Sequence, residues 1–125
     1  MVAKVLNVGV MSRQDYVRRT IAIAKGEYIP SPDEPKIWFE SLKSMAQVLS
    51  DEDQLLLDVI IRHKPASLTE LEQLAHRKKT NLSRTLKTLE RYGVVELRKQ
   101  SGKLIPTVKA TDFRVQFGLH HGNAD

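Results

Sequence analysis

The stretch 67–93 places the strongest constraint on the fold, because it holds the signals for two short helices in succession. Its first four residues form an S-x-x-E capping box. In this box the Ser67 hydroxyl accepts from the amide of Glu70, and the Glu70 carboxylate accepts from the amide of Ser67. A second helix is expected to begin at Thr80, as its N-cap, and to end at Gly93, because glycine adopts positive φ without strain. Two helices joined by a short turn are therefore the centre of the predicted fold.

The chain before this stretch alternates between a strand and helices. Alternating apolar residues predict a strand over 2–11, and a serine N-cap predicts a helix over 12–25. Three prolines make 28–36 a connector, since proline lacks an amide donor and fixes φ. Apolar residues at i, i+4, i+7 and i+11 predict a helix over 36–49 with one apolar face, and a further capped helix is expected over 51–63.

The chain after Gly93 is rich in residues that favour strands. Two such segments separated by a Ser-Gly turn predict a β-hairpin over 94–109, with Pro106 on an edge strand because it cannot donate to a ladder on both sides. Strict alternation of apolar residues over 113–119 predicts a last strand. The terminal strands are expected to pair with each other or across a dimer, since unpaired apolar edges promote aggregation.

Positive charge is concentrated in one part of the chain. The net charge of the protein is +5, and residues 76–109 contain ten lysines and arginines but only Glu90 and Glu96 as acids. Such a basic module beside a neutral one indicates a polyanionic partner. The alternative is that these cations only keep helix surfaces soluble.

The segment LTELEQLAHRKKTNLSRTLKTLERYGVVELRK resembles the helix-turn-helix of winged-helix regulators of the MarR and ArsR type. The resemblance covers about 51–109. It departs from the family pattern at Lys78, where a serine or threonine often caps the second helix. The matching positions are Leu71, Leu74, Ala75, Leu82, Ser83, Arg84, Leu86, Leu89, Gly93, Val94 and Val95.

This resemblance implies a winged helix-turn-helix. With the predicted N- and C-terminal strands, the expected fold is α+β and mainly helical. It also implies a sequence-specific, double-stranded DNA-binding transcriptional regulator with a recognition helix over 80–92 in the major groove and a wing over 94–109 on the backbone or minor groove. By its chemistry, Arg84 can donate two hydrogen bonds to guanine and Asn81 can pair with adenine. The residues expected to contact DNA are Arg77, Lys78, Lys79, Thr80, Asn81, Arg84, Thr85, Lys87, Thr88, Arg98, Lys99 and Lys103.

The chain is expected to divide into three parts: an N-terminal part over 1–50 for dimerisation or partner binding, the DNA-binding domain over 51–111, and a C-terminal strand and tail over 112–125. Regulators of this kind generally bind two half-sites as a two-fold dimer, so a homodimer is expected. Its predicted interface is the apolar face of the 36–49 helix, formed by Trp38, Phe39, Leu42, Met45 and Leu49.

Other functions stay open at this stage. One is an antitoxin-like autoregulator, in which residues 1–35 bind a partner protein and the winged helix represses its own promoter. Another is a winged-helix adaptor for protein assembly, although a basic face argues against it. RNA binding ranks lower, because an aromatic content of 6% leaves few platforms on which unpaired bases can stack.

Catalysis and metal binding have little support in the sequence. There is no cysteine, no glycine-rich phosphate loop, and no metal-ligand spacing among the four histidines, namely His63, His76, His120 and His121. An enzyme is therefore not expected, and neither is a cofactor or a metal. The N-terminal residues lack the apolar core of a signal peptide and no apolar run is long enough to span a bilayer, so the expected location is the cytoplasm.

Overall fold

Serine side chains start most of the helices. In the computed structural model, which describes residues 4–119, Ser12, Ser41, Ser50 and Ser67 each accept a hydrogen bond from the amide three residues later. Each bond satisfies one of the amides that have no partner within the helix. The described residues form an α+β protein with these elements in chain order: β1 (Val5–Val10), α1 (Arg13–Ala24), β2 (Ile37–Phe39), α2 (Leu42–Val48), α3 (Asp51–His63), α4 (Leu68–Ala75), α5 (Lys79–Arg91), β3 (Val95–Gln100), β4 (Lys103–Val108) and β5 (Asp112–Gln116).

Most of the predicted elements are confirmed, within one to three residues at their ends. The capping box at Ser67 forms only in part. The Ser67 hydroxyl accepts from the amide of Glu70 at 3.1 Å, as predicted. The Glu70 carboxylate accepts from the amide of Ala66 at 3.3 Å and not from that of Ser67. The donor of the reciprocal bond is therefore the residue before the predicted one.

The predicted helix over 36–49 is wrong in its first half. Residues Ile37–Phe39 form β2, which pairs in parallel with β1, and the helix covers only Leu42–Val48. Two tertiary contacts account for the strand. The Phe39 ring stacks on Tyr92 with 4.4 Å between centroids, and Trp38 lies directly across Gly9. The helical spacing of apolar residues in 36–49 therefore spans a strand, a serine cap and a short helix.

The first and last strands of the described residues lie in one three-stranded parallel sheet of order β2-β1-β5. The alternative in which the terminal strands pair with each other is the one observed. Val5 pairs with Asp112 and Gly9 with Gln116, so the predicted segments 1–50 and 112–125 share a sheet. Residues 2 and 3 and residues 120–125 lie outside the described part of the chain.

This sheet lies between α1 and the helical core. On one face Leu6 and Phe113 pack against the core, and on the other Arg19 of α1 lies over the Trp38 ring at 5.1 Å. The core itself comes from α3, α4, α5 and the start of β3. Its buried members are Leu56, Leu57, Ile60, Leu71, Leu82, Leu86, Leu89, Val94 and Val95.

The strands β3 and β4 form the predicted hairpin. Ser101 and Gly102 connect them with φ of 53° and 76°, the positive values that a two-residue type I′ turn requires. Pro106 lies opposite Leu97 in this two-stranded ladder, where each strand has a free edge. Within residues 4–119, no helix is both long and apolar enough to cross a membrane.

Candidate nucleic-acid interface

Helix α5 presents a cationic side to solvent because its opposite side is fixed in the core. Leu82, Leu86 and Leu89 are each 0% exposed. The other positions include an exposed series that begins in the first turn and continues along the helix, composed of Lys79, Thr80, Asn81, Arg84, Lys87 and Arg91. The amphipathic arrangement predicted for this helix is thus confirmed.

The start of α5 is capped by another helix. Lys78 occupies the N-cap position without a side-chain cap bond, so the expected cap at Thr80 is wrong. The amide of Lys79 donates instead to the Glu72 carboxylate of α4 at 2.8 Å. This carboxylate satisfies one amide at the helix N-terminus, and a phosphate would have to compete with it for that donor. Glu72 was not recognised in the sequence, because its partner lies on the next helix.

Arg77 has a structural role in this region. Its guanidinium donates to Asp53 at 3.2 Å, to the Asn81 side-chain oxygen at 2.8 Å and to the Thr85 hydroxyl at 3.0 Å. The Arg77 side chain is 20% exposed and that of Asp53 is 15% exposed. Arg77 therefore connects α3 to α5 and orients Asn81, whereas the sequence predicted a contact with DNA.

We expect Arg77→Met to lower the free energy of unfolding by about 1.5–2 kcal/mol, because it removes charge-assisted hydrogen bonds and leaves Asp53 partly buried without its cation. Methionine keeps most of the aliphatic part of the side chain, so packing is largely preserved. Urea unfolding followed by circular dichroism measures the loss. The matched control is Arg62→Met: Arg62 pairs with Asp58, but its side chain is 71% exposed, and its loss should change stability by less than about 0.5 kcal/mol. Equal effects of the two variants would contradict the role assigned to Arg77.

Two predicted contact residues make hydrogen bonds within the protein. The Thr85 hydroxyl accepts from Arg77, and the Thr88 hydroxyl donates to the backbone carbonyl of Arg84 at 3.1 Å. The Arg84 side chain itself is exposed and forms no ion pair within the described chain. Lys78, Lys79 and Lys87 share these two properties. These four cations are thus available to an external anion.

The hairpin contributes a second group of cations. Arg98 donates to the Glu96 carboxylate of its own strand at 2.6 Å. The Arg98 guanidinium, by this hydrogen bond and by its charge, holds the pKa of Glu96 below the usual value. Part of the charge of Arg98 is thereby neutralised. Lys99 and Lys103 are exposed and have no carboxylate within ion-pair distance in residues 4–119.

The tip of the hairpin and the start of α5 lie on the same side of the protein. A cleft of about 240 Å³ is lined by Lys79 of α5, by Gly102 and Lys103 of the hairpin, and by Ser67 and Thr69 at the start of α4. The fold therefore brings together cations that are 24 positions apart in the sequence. This cleft contains no acidic lining residue.

A second groove lies between α3, α4 and the start of α5, and α3 and α4 give it an apolar wall. It has a volume of about 670 Å³, and its cationic side contains Lys78 and Arg84. Thr80 and Asn81 also line it, and Glu52 is its one acidic lining residue. Thr80, Asn81 and Arg84, three of the predicted contact residues of α5, thus line one groove.

The five residues predicted for a dimer interface do not share one exposed face. Phe39 is 1% exposed and stacks on Tyr92, so it packs inside its own chain. Trp38 lies on the other face of the sheet, across Gly9. Leu49 packs against the core, Met45 is half-buried, and Leu42 is 44% exposed. The single helix on which that prediction rested is absent.

Residues 4–119 contain no group of three or more histidine, cysteine, aspartate or glutamate side chains that could hold a metal ion. His63 ends α3 and His76 is the C-cap of α4, in the left-handed conformation. His120 and His121 lie outside the described residues.

Fold and site together define a small α+β protein in which a leucine-anchored cationic helix and a basic hairpin share one surface. The chain belongs to the HVO_A0114 family, whose model matches residues 48–115. The matched region runs from the end of α2 to β5, and so includes all of this surface. Comparison with curated proteins and with solved structures gives no match.

Proposed function

We propose that this protein is a winged helix-turn-helix regulator of transcription that binds specific sequences in double-stranded DNA. In this proposal α4 and α5 are the helix-turn-helix, α5 enters the major groove, and the hairpin of β3 and β4 is the wing. The resemblance to regulators of the MarR and ArsR type supports the same assignment.

The observation that carries the proposal is the cleft shared by Lys79 and Lys103. A duplex whose major groove receives the start of α5 would also meet the hairpin tip, because both lie on one side of the protein. Arg84 and Asn81 are the candidates for base contacts, and Arg77 holds the Asn81 side-chain oxygen at 2.8 Å. Lys78, Lys79, Lys99 and Lys103 would neutralise phosphates without reading sequence.

The experiment compares binding to the DNA upstream of the protein's own reading frame with binding to random duplex, each at two salt concentrations. We expect Arg84→Ala to weaken specific binding by about 1–3 kcal/mol and to affect random duplex less. Lys103→Ala should weaken both alike and reduce the slope of log affinity against log salt by about 1.

The matched control is Lys43→Ala, because Lys43 is exposed on α2, away from the cleft and the groove. It should leave both affinities within about twofold, since it contacts no phosphate in this arrangement. Absence of binding at low salt would refute the proposal. Equal affinity for every duplex would refute sequence specificity, and an unchanged preference in Arg84→Ala would refute the assignment of the base-reading residues.

A second candidate function, the antitoxin-like autoregulator, is favoured by the surface of α1. None of its residues is buried, and it exposes Tyr16, Val17 and Ile21, with Ile29 exposed in the following connector. Such a patch suits a protein partner better than solvent. We expect the product of an adjacent reading frame, co-expressed with this chain, to co-purify with it and to be lost in Ile21→Glu. Retention of that product by the variant would contradict this assignment of the surface.

A further inference from the structure

The outer edge of β5 is unpaired in the described part of the chain. On its inner side β5 pairs with β1, and the amide of Asp112 donates to the carbonyl of Lys4. Because backbone groups alternate in direction along a strand, Phe113 and Val115 direct their amides and carbonyls outward. Residues 4–119 supply no other strand to meet them.

This edge also has exposed apolar side chains and lacks two common protective residues. Val115 is 43% exposed and Phe117 is 51% exposed. Free edges are commonly protected by lysine or proline, and neither occurs in 112–119. An unprotected edge of this kind is a template for another strand.

We propose that a second copy of this chain pairs with β5 along its free edge, with the two-fold axis at Val115. A two-fold axis perpendicular to the sheet brings identical edges together in antiparallel orientation. The two three-stranded sheets then become one sheet of six strands. This inference concerns assembly and does not depend on the proposed DNA binding.

Charge supports a second copy as the occupant. The net charge of +5 resides largely in the helix and hairpin surface, so two copies meeting there would repel each other. The segment 112–118 holds one aspartate and one arginine and is neutral. The two facing edges therefore carry no net charge of their own.

Charge and hydrogen bonding also select the register. An axis at Arg114 would place two guanidinium groups opposite each other, which is unfavourable. An axis at Phe113 would require the Thr111 amide to donate to the second copy. The Thr111 amide donates instead to the carbonyl of Lys4 in its own chain, at 3.0 Å. With the axis at Val115, Phe113 faces Phe117 of the second copy, and Arg114 faces Gln116. This register pairs apolar with apolar and avoids like charges.

The proposed assembly fixes the distance between the two candidate DNA surfaces. Only residues 109–111 separate β4 from β5, so the hairpin is tied closely to the dimer axis. A rigid spacing of this kind is what recognition of two half-sites requires.

Cysteine crosslinking tests the register, and the natural chain contains no cysteine. We expect Val115→Cys to form a disulfide-linked dimer under mild oxidation. Its symmetry-related Cα atoms should lie about 5.5 Å apart, within the disulfide range of roughly 4.4–6.8 Å. Asp112→Cys is the register control: its two copies would be about 20 Å apart, so it should stay monomeric on denaturing gels.

Sedimentation equilibrium tests the interface without DNA. Failure of the proposed dimer is therefore distinguishable from failure of the proposed function. The natural chain should be a dimer, and Val115→Lys should raise the dissociation constant at least tenfold. Gln47→Lys introduces the same residue at an exposed position of α2, which follows β2 at the opposite edge of the sheet, and should leave the dissociation constant unchanged. Thermal melts verify that both variants fold. If Val115→Lys does not fold, the crosslinking result decides whether the β5 edge forms the interface. A monomeric natural chain, or equal crosslinking at Val115 and Asp112, would overturn the proposal.

Discussion

Leu86→Ala is expected to lower the free energy of unfolding by about 3–4 kcal/mol, because it leaves a cavity in the middle of the core. Leu86 is 0% exposed and lies on α5 between Leu82 and Leu89, which are equally buried. The surrounding side chains come from α3, α4 and β3, so few of them can move into the vacated space. Urea unfolding monitored by circular dichroism measures the change.

The control for Leu86 is the same substitution at an exposed leucine. Leu55 of α3 is 68% exposed, so Leu55→Ala removes the same atoms with little loss of burial. We expect it to change stability by less than about 0.5 kcal/mol. Similar losses in the two variants would show that Leu86 is not buried in the core. The exposed cationic side of α5, which depends on that burial, would then be wrong.

The second large effect is expected at Gly9, where β1 meets Trp38. A Cβ atom at Gly9 would lie 2.3–2.9 Å from three atoms of the Trp38 ring, closer than real contacts allow. We expect Gly9→Val to cost about 3 kcal/mol and Gly9→Ala about 2 kcal/mol, because overpacking forces the ring and the strand apart. Thermal and urea unfolding of both variants provide the test.

A double-mutant cycle separates this steric effect from a change in strand propensity. Trp38→Leu leaves room above Gly9, so the double variant with Gly9→Ala should be more stable than the sum of the two single losses predicts. The interaction energy should be about 1 kcal/mol or more. Additive losses would mean that contact with the Trp38 ring is not the reason for glycine at this position.

Local signals in the sequence predicted the helical part of the fold well. The serine caps predicted the starts of α1, α3 and α4, and Gly93 has the positive φ expected after α5. Leucine spacing predicted the buried side of α5, and therefore the exposed cations that form the candidate interface. These features depend on interactions between residues three or four positions apart, which a sequence pattern records directly.

Long-range contacts account for what the sequence did not predict. The carboxylate of Glu72 caps α5 from the preceding helix, and Arg77 binds Asp53 across 24 positions of sequence. Arg77 therefore looked like one more surface cation of a basic segment. Its partners distinguish it from Lys78 and Lys79, and no periodic pattern encodes partners so far apart.

The positions of α1, α3, α4, α5 and the hairpin follow from caps, turns and apolar spacing, because these signals act within a few residues. That 37–39 is a strand follows from packing between distant parts of the chain, since its apolar residues fit a helical spacing equally well. The parallel pairing of β1 with β2 and β5, and the burial of Phe39 against Tyr92, determined that strand. The meeting of Lys79 and Lys103 in one cleft is likewise tertiary, because chain packing sets the distance between them.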